Sequence, residues 1–434
     1  MKRKIGTRWM ILAFIVLGTV INYIDRNALG VLAPQLKTEL NFTTEQYSYV
    51  VGAFQFCYAL MQPLAGYVTD LIGLKAGYAF FALVWGIAAA LHGFAGNWQA
   101  MAFFRGLLGI SEAAALPSGV KTASLWFPSH ERAIATGWVT TGTSIGAMIA
   151  PPLVIWLSLT WGWKAAFVVT GLLGVILSFI WLRWYNNPEH HPRLGAEERA
   201  YILDGQAPEQ KREKPSVKRV IAKRKFWGIA AARFLTEPAW QTFSFWIPLY
   251  MINSKGMDIK QFALFAWLPF LLADVGSILS GYMAAFFNGK FKMTRVNSRI
   301  AGVGVGAICM IGPGLIGLFS SPIMAIILFS IGGFAHQMIS SLLYALTTDT
   351  FEKRDVATAT GSAGMVGWLG GMCFSLVIGQ LASVIGYEPL FVCLSLFDMT
   401  AFIVILVVLG ERKQSRTVRL HTATGAVEES FDRP

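Results

Sequence analysis

Twelve apolar segments, each long enough to cross a lipid bilayer, constrain the fold of this 434-residue chain more than any other feature of its sequence. A helix needs about 20 apolar residues to span the hydrocarbon core, and inside lipid every backbone polar group must be hydrogen-bonded within its own segment. The segments are therefore predicted to be helices. Their expected bounds are 9–30, 46–68, 76–95, 99–122, 133–157, 164–185, 226–252, 262–285, 298–318, 322–347, 356–383 and 388–409.

The charged residues support a membrane location and predict an orientation. Only 14% of the residues are charged, whereas soluble domains average about 25%. A net charge of +12 could indicate a nucleic-acid partner, but the basic residues are concentrated in alternate loops, as at Lys75 and Lys121. Because that arrangement orients membrane proteins, the sequence predicts contact with a lipid bilayer, no nucleic-acid partner and two cytoplasmic termini.

One long polar stretch divides the chain into two halves of similar design. Residues 186–225 are rich in Glu, Lys, Arg and Pro, which predicts a cytoplasmic linker with a short surface helix around 196–203. Phe127–Gly137 and Phe351–Gly361 both contain a charged turn and end in Ala-Thr-Gly. Such a duplication places a substrate site between the halves of a transporter. The predicted units are a six-helix bundle in 1–185, the linker, a second six-helix bundle in 226–410 and a cytoplasmic tail in 411–434.

Four ionisable residues interrupt the apolar first and fourth segments: Asp25, Arg26, Arg105 and Glu112. Charged groups at membrane depth are rare, and they usually face a bundle interior or a water-filled cavity. Arg26 offers a rigid, two-pronged donor that matches a carboxylate, so it is predicted to bind an anionic substrate. The alternative is a structural salt bridge. Asp25 is poorly placed to form it, because adjacent residues on a helix point about 100° apart.

Glu112 is the predicted proton carrier. Burial disfavours the charged form of a carboxyl group and a nearby cation favours it, so the arrival of a proton or a substrate can change its charge. Arg105 lies two turns earlier on the same helix face, too far for a direct bond to Glu112 but close enough to alter its electrostatic field. The alternative for Glu112 is a static ion pair that holds the fourth helix to the first or the second.

Several motifs make the chain resemble the anion–cation symporter family of the major facilitator superfamily over essentially all twelve segments. Residues 66–75 are similar to the superfamily's signature between helices two and three, although Leu71 and Leu74 stand where basic residues are usual. Residues 142–152 are similar to the glycine-proline signature of helix five. The family-level motifs are Asn22-Tyr23-Ile24-Asp25-Arg26, Arg105-Gly106, Glu112-Ala113-Ala114 with Pro117, Trp126-Phe127-Pro128 and Glu131-Arg132-Ala133.

Within that family the chain is most similar to bacterial hexuronate permeases, in segments 145–152, 233–240 and 332–337. The resemblance implies an all-α membrane protein with twelve transmembrane helices in two pseudo-symmetric six-helix bundles. It implies a transporter rather than an enzyme, acting as a monomer in the bacterial inner membrane without a cofactor or a metal. The implied activity is import of a hexuronate, such as glucuronate or galacturonate, by proton symport through alternating access.

Other transport activities stay open at this point. The anion could be an aldonate such as galactonate, another small carboxylate, or a sulfonate such as sulfoacetate. The protein could also act as a facilitator or an antiporter, because acids within the membrane favour proton symport without establishing it.

The resemblance also implies roles for individual residues. Asp25 is similar to the family's second protonation site, or it orients an arginine. Gly66, Asp70, Gly73 and Lys75 are implied to take part in gating. The predicted substrate contacts are Arg26, Tyr23, Tyr58, Gln62, Thr143, Trp246 and Ser340.

The uncharged contacts have a structural alternative. Tyr58 and Gln62, four residues apart on one helix face, could bind sugar hydroxyls or link helices by hydrogen bonds. Trp246, with Gln241 and Tyr344, could line a cavity opposite Arg26 or serve in packing. The predicted role of each therefore depends on where the helices bring it.

Other polar residues also lie within the apolar segments. Glu237 follows Arg233 by four residues and is predicted to pair with it. Asp274 and Asp398 have no partner that the sequence identifies. His336, beside Gln337, fits either a proton relay or a hydrogen-bonded packing histidine.

Overall fold

Helices make up the secondary structure of the computed structural model, which describes residues 6–128, 131–203, 216–352 and 355–411. No strand occurs in these four ranges. The α-helices are α1 (Thr7–Glu39), α2 (Thr44–Ile72), α3 (Leu74–Leu91), α4 (Trp98–Glu112), α5 (Ala115–Trp126), α6 (Arg132–Trp161), α7 (Trp163–Trp184), α8 (Ala196–Leu203), α9 (Val217–Ile221), α10 (Arg224–Phe245), α11 (Ile247–Leu249), α12 (Ile259–Phe265), α13 (Leu268–Phe291), α14 (Arg295–Cys309), α15 (Ile311–Gly314), α16 (Pro322–Thr350), α17 (Val356–Ile385) and α18 (Glu388–Leu409).

These helices form twelve passes, six in each half, and the predicted all-α fold is confirmed. Within the described ranges, nine segments are long and apolar enough to cross a membrane by length and composition. The other three passes are α2, α4 followed by α5, and α10 followed by α11. The fourth pass is broken directly after Glu112, and α10 contains the charged residues Arg233 and Glu237.

The two halves share one hydrophobic core at one membrane face and have separate cores at the other. We call the face at which α1 begins and α18 ends the terminal face, and the other the opposite face. Near the opposite face a single core combines Leu29 and Val50 of the first half with Phe245 and Ile378 of the second. Near the terminal face each half has its own core, and the core of the first half also includes Trp368 of α17. Apolar burial therefore holds the halves together at the opposite face.

Close backbone contacts complete this closure. The Tyr47 hydroxyl donates a hydrogen bond to the Phe245 carbonyl oxygen at 2.9 Å. A Cβ atom added to Gly30 would collide with the Ser244 carbonyl oxygen, so only glycine allows α1 to approach α10 this closely. We call this group of contacts the seal. Its members are Gly30, Tyr47, Ser48, Ser244, Phe245 and Gly379.

The glycines of α6 bring that helix close to α1. A Cβ atom on Gly146 would collide with the Val20 carbonyl oxygen and with the Tyr23 side chain, and one on Gly142 would lie 3.0 Å from the Val16 carbonyl oxygen. Small residues permit such close approach between membrane helices. The glycine signature therefore fixes the part of α1 that precedes Arg26.

The short helix predicted in the linker is present as α8, and it caps α1. The Glu198 carboxylate accepts hydrogen bonds from the backbone N–H groups of Thr7 at 3.0 Å and Arg8 at 3.2 Å. These amides belong to the first turn, where a helix lacks internal acceptors and favours negative charge. Arg8 also pairs with Glu131 at 3.2 Å. The linker helix is thereby attached to the first half at the terminal face.

Candidate functional site

The centre of the site is an ion pair between α1 and α4. The Arg26 Nε atom lies 2.9 Å from the Glu112 Oε2 atom, and an Arg26 Nη2 hydrogen bond of 3.3 Å reaches the Asn22 side-chain oxygen. Glu112 is fully buried, whereas Arg26 keeps 5% of its surface exposed. The Glu112 Oε1 atom has no hydrogen-bond partner in the described part of the chain. Glu112 is thus the acid that pairs with Arg26, across helices.

Aromatic rings surround the Arg26 guanidinium on several sides. Its carbon atom lies 4.4 Å from the ring centre of Tyr23, 4.7 Å from that of Tyr58 and 5.5 Å from that of Trp368. The electron-rich faces of these rings attract a cation. Trp368 belongs to α17, so the second half also contributes to the environment of Arg26.

Trp368 was not among the residues predicted from the sequence. Its ring centre lies 4.3 Å from that of Tyr58, which makes it a direct link between the halves beside the ion pair. The sequence did contain a signal. This tryptophan is the one aromatic residue between Phe351 and Phe374, in a stretch that also contains Gly364, Gly367, Gly370 and Gly371.

Arg105 and Asp25 are buried next to the ion pair. Arg105 is fully buried and donates a hydrogen bond of 3.1 Å from Nη2 to the Arg26 carbonyl oxygen. Arg105 forms no direct bond with Glu112, as its spacing predicted. Asp25 is also buried, beside Thr170 and within electrostatic range of Glu112 and Arg105. Two arginines and two acids are therefore packed together between α1, α4 and α7.

The remaining predicted contacts of the first half are distributed around this centre. Tyr58 is buried against Arg26 and Trp368. Gln62 packs against Gly364 of α17, and its Oε1 atom has no hydrogen-bond partner among the described residues. Thr143 is half-buried, and its hydroxyl donates to the Thr140 carbonyl oxygen at 2.7 Å. These three side chains stay predicted contacts.

The two predicted contacts of the second half lie in different places. Ser340 accepts a hydrogen bond of 2.9 Å from Arg233 Nη1, which joins α16 to α10. Trp246 is fully buried within the core shared by both halves, where its ring meets that of Tyr47 at 5.2 Å. Trp246 therefore lies at the seal, and its role as a substrate contact stays a prediction.

Arg233 and Glu237 pair as their spacing predicted, at 3.9 Å between Nη1 and Oε2. Gln241 donates a hydrogen bond of 3.1 Å to Glu237 Oε1. The Arg233 guanidinium lies 3.7 Å from the ring centre of Tyr344, which is 46% exposed. The Tyr344 ring therefore covers the buried Arg233 guanidinium and keeps part of its own surface exposed.

Three polar residues left unassigned by the sequence have distinct surroundings. Asp274 accepts a hydrogen bond from the Ser144 hydroxyl, which joins α13 to α6 across the two halves. His336 is buried and stacks on Trp240, with ring centres 5.5 Å apart. Asp398 is buried, and its carboxylate has no hydrogen-bond partner in the described ranges.

The predicted gating motif forms the turn between α2 and α3 at the terminal face. Gly73 has φ = 83°, a conformation that glycine adopts without strain, and it reverses the chain direction. Lys75 Nζ donates a hydrogen bond of 2.9 Å to the Asn186 side chain at the start of the linker. Gly66 packs toward Pro117 of α5. The side chain of Asp70 lies outside what the structure describes.

Comparisons with known proteins agree with this architecture. The chain is 47% identical over 414 residues to the hexuronate transporter of Escherichia coli K12, covering 94% of this chain and 96% of that protein. It is 45% identical over 324 residues to the galacturonate transporter of Dickeya chrysanthemi, covering 74% and 94%. These relatives are transporters and not enzymes, as was predicted for this chain. The chain is therefore close to bacterial hexuronate permeases.

A solved structure and a family model identify the fold. The crystal structure of a bacterial homologue of the human lysosomal transporter Spinster, in an inward-facing and occupied conformation, superimposes with a TM-score of 0.71 at 18% identity. The match covers 93% of this chain and 97% of that one. The family model described as Major Facilitator Superfamily matches residues 15–313. The chain therefore belongs to the Major Facilitator Superfamily.

Proposed function

We propose that this protein imports a hexuronate, such as galacturonate or glucuronate, together with protons. The names of the two relatives at 45–47% identity support the substrate class. In the proposed orientation the termini are in the bacterial cytoplasm, since basic residues near the starts of helices, such as Lys75 of α3 and Arg299 of α14, lie at the terminal face. The terminal face is then the cytoplasmic one.

The observation that carries the proposal is the buried Arg26–Glu112 ion pair. Arg26 is the member of the pair with exposed surface, 5% against 0% for Glu112, and it is therefore the member that we propose an anion contacts. A carboxylate bound to Arg26 competes with Glu112 for the same guanidinium. Protonation of Glu112 removes this competition, because a neutral acid no longer pairs with the cation.

This competition couples the proton to the substrate. When Glu112 is ionised, it occupies Arg26 and disfavours binding of a second carboxylate. When Glu112 is protonated, the substrate carboxylate becomes the partner that a buried arginine requires, because an unpaired buried charge is costly. Asp25, buried nearby, is the proposed second proton site, and Arg105 holds the backbone of Arg26 in position.

The arrangement of the cores supports alternating access. In the proposed orientation the seal closes the outer face, and the separate cores near the terminal face leave the halves free to part on the cytoplasmic side. Release of substrate and proton to the cytoplasm is followed by rocking of the halves, which opens the seal and closes the terminal face.

Uptake of labelled galacturonate into proteoliposomes tests the proposed function. We expect accumulation above the external concentration when the outside is acidic, and loss of that accumulation when a protonophore removes the gradient. Uptake that only equilibrates, regardless of the pH gradient, would indicate a facilitator. Competition by unlabelled glucuronate, galactonate and sulfoacetate then identifies the preferred anion, and stronger competition by galactonate or sulfoacetate would replace hexuronate as the substrate class.

A side chain at Gly30 is expected to open the seal. Gly30→Ala places a methyl group against the Ser244 carbonyl oxygen, and overpacking of this kind costs about 1–3 kcal/mol. We expect faster labelling of Asn27→Cys from outside by a membrane-impermeant maleimide, in protein whose four free cysteines have been replaced. Gly137→Ala is the matched control, because its added methyl group meets no atom within 4 Å. Equal labelling rates in the two variants would contradict the prediction.

A further inference from the structure

The second half has its own polar group, on α10 and α16. We call it the Glu237 cluster, and its members are Arg233, Glu237, Gln241, Ser340 and Tyr344. Arg233 is held firmly, because it donates to the Ser340 hydroxyl at 2.9 Å and lies 3.7 Å from the Tyr344 ring centre. These contacts connect α10 to α16 and fix the cluster on the second half alone.

The Glu237 cluster of the second half lies near Arg26 of the first half. On α17, Gly367 packs against Arg233 while the next residue, Trp368, lies over the Arg26 guanidinium. From the first half, the Tyr23 ring covers Arg26 at 4.4 Å and is within electrostatic range of Glu237. Glu237 is itself within electrostatic range of Arg26, so the two charged groups lie near each other, one on each half.

Glu237 keeps the capacity to bind a ligand. Its 3.9 Å separation from Arg233 is a weak ion pair compared with the 2.9 Å of Arg26 and Glu112, and it is longer than a hydrogen bond. The Glu237 side chain is 12% exposed, against 4% for Arg233. One carboxylate oxygen accepts from Gln241, and the other has no hydrogen bond among the described residues. An ionised carboxylate can only accept hydrogen bonds.

Building on the proposed function, we propose that Glu237 selects sugar acids with one carboxylate over sugar diacids. With the substrate carboxylate on Arg26, the far end of the sugar chain extends toward Glu237. A hydroxyl at that end donates a hydrogen bond to Glu237, whereas a second carboxylate meets a like charge. Specificity of this kind rests on a repulsive element as much as on an attractive one.

Galacturonate and galactarate provide a matched pair of probes. Galactarate carries a second carboxylate at the carbon where galacturonate has an aldehyde or its cyclic hydroxyl form, and the rest of the chain is the same. Like-charge contact of this kind costs several kcal/mol, so we expect the wild type to take up galacturonate at least about 100-fold faster than galactarate. Glu237→Gln keeps an acceptor oxygen but removes the charge. We expect it to lower the ratio of galacturonate uptake to galactarate uptake at least about tenfold.

Two further variants isolate the effect of charge. Glu237→Asp keeps the negative charge and is expected to exclude galactarate as the wild type does. Glu388→Gln makes the same chemical change at an acid outside the cluster, whose Oε1 atom accepts from the Tyr250 hydroxyl at 3.1 Å, and it is expected to leave the ratio unchanged. Galactarate uptake gained in Glu237→Gln alone would support the inference.

Each contrary outcome has a separate meaning. An unchanged ratio in Glu237→Gln, with galacturonate uptake intact, would overturn the role of Glu237 and leave the proposed function in place. Failure of the wild type to accumulate any sugar acid with one carboxylate would overturn both. If Glu237→Gln loses all uptake, the thermal stabilisation of the purified variant by galacturonate and by galactarate is measured instead. If galacturonate is preferred over galactarate in the variant as strongly as in the wild type, the inference is overturned.

Discussion

Uptake of galacturonate is expected to fall at least about 30-fold when Arg26 is replaced by lysine, at the lower end of the about 2–5 kcal/mol that disrupting a buried, hydrogen-bonded charge pair costs. Lysine keeps the positive charge but lacks the planar fork that holds Glu112 and Asn22 at the same time. It also loses the stacking against Tyr23 and Tyr58. Initial rates in proteoliposomes measure the effect.

The matched control is a lysine replacement at an arginine outside the buried charge cluster. Arg299 pairs with Asp349 at 2.8 Å on a partly exposed surface, where an ion pair contributes little. We expect Arg299→Lys to transport within about twofold of the wild type. Near-normal uptake by Arg26→Lys, in protein purified at the normal yield and size, would show that Arg26 does not bind the substrate carboxylate.

Glu112→Gln is expected to abolish accumulation driven by a pH gradient while keeping exchange of substrate across the membrane. Glutamine resembles the protonated acid, so Arg26 stays available to the substrate in every state and no proton is bound or released at this position. We expect counterflow of labelled against unlabelled galacturonate to continue, and concentration of the label under an imposed gradient to disappear. The two assays on the same proteoliposomes separate coupling from binding.

Glu388→Gln also serves as the control for this experiment, since Glu388 belongs neither to the Arg26–Glu112 pair nor to the Glu237 cluster and bonds to Tyr250. It should keep both activities. Accumulation by Glu112→Gln that still follows the pH gradient as in the wild type would remove Glu112 from the coupling role. Loss of both counterflow and accumulation, in correctly folded protein, would instead assign Glu112 to holding Arg26 in place.

The helices and their order could be predicted from the sequence because lipid leaves an apolar segment no other structure. The predicted segment 388–409 coincides with α18, and α8 occupies the residues predicted for the linker helix. The ends differ most where polar residues extend a helix beyond the hydrocarbon, as in α1, which continues to Glu39. Hydropathy reports the buried length of a helix and not its full length.

The partners within the site could not be predicted in the same way. A membrane helix is apolar on every side, so its sequence does not indicate which face meets which neighbour. From the sequence, the partner of Glu112 could lie on the first or on the second helix. The structure pairs Glu112 with Arg26 of the first helix. The sequence left Asp274 without a partner, although Ser144 of the other half bonds to it. Only pairs within one helix, such as Arg233 and Glu237, followed from spacing.

The position of Trp368 has a consequence for how the protein can move without losing its cargo. This indole belongs to the second half but packs into the core of the first, beside Arg26 and Tyr58. In a rocking motion the axis of rotation passes close to such a shared contact, and displacement grows with distance from the axis. Atoms around the ion pair then shift little while both membrane faces open and close widely, so one bound anion stays in reach of both halves throughout the cycle.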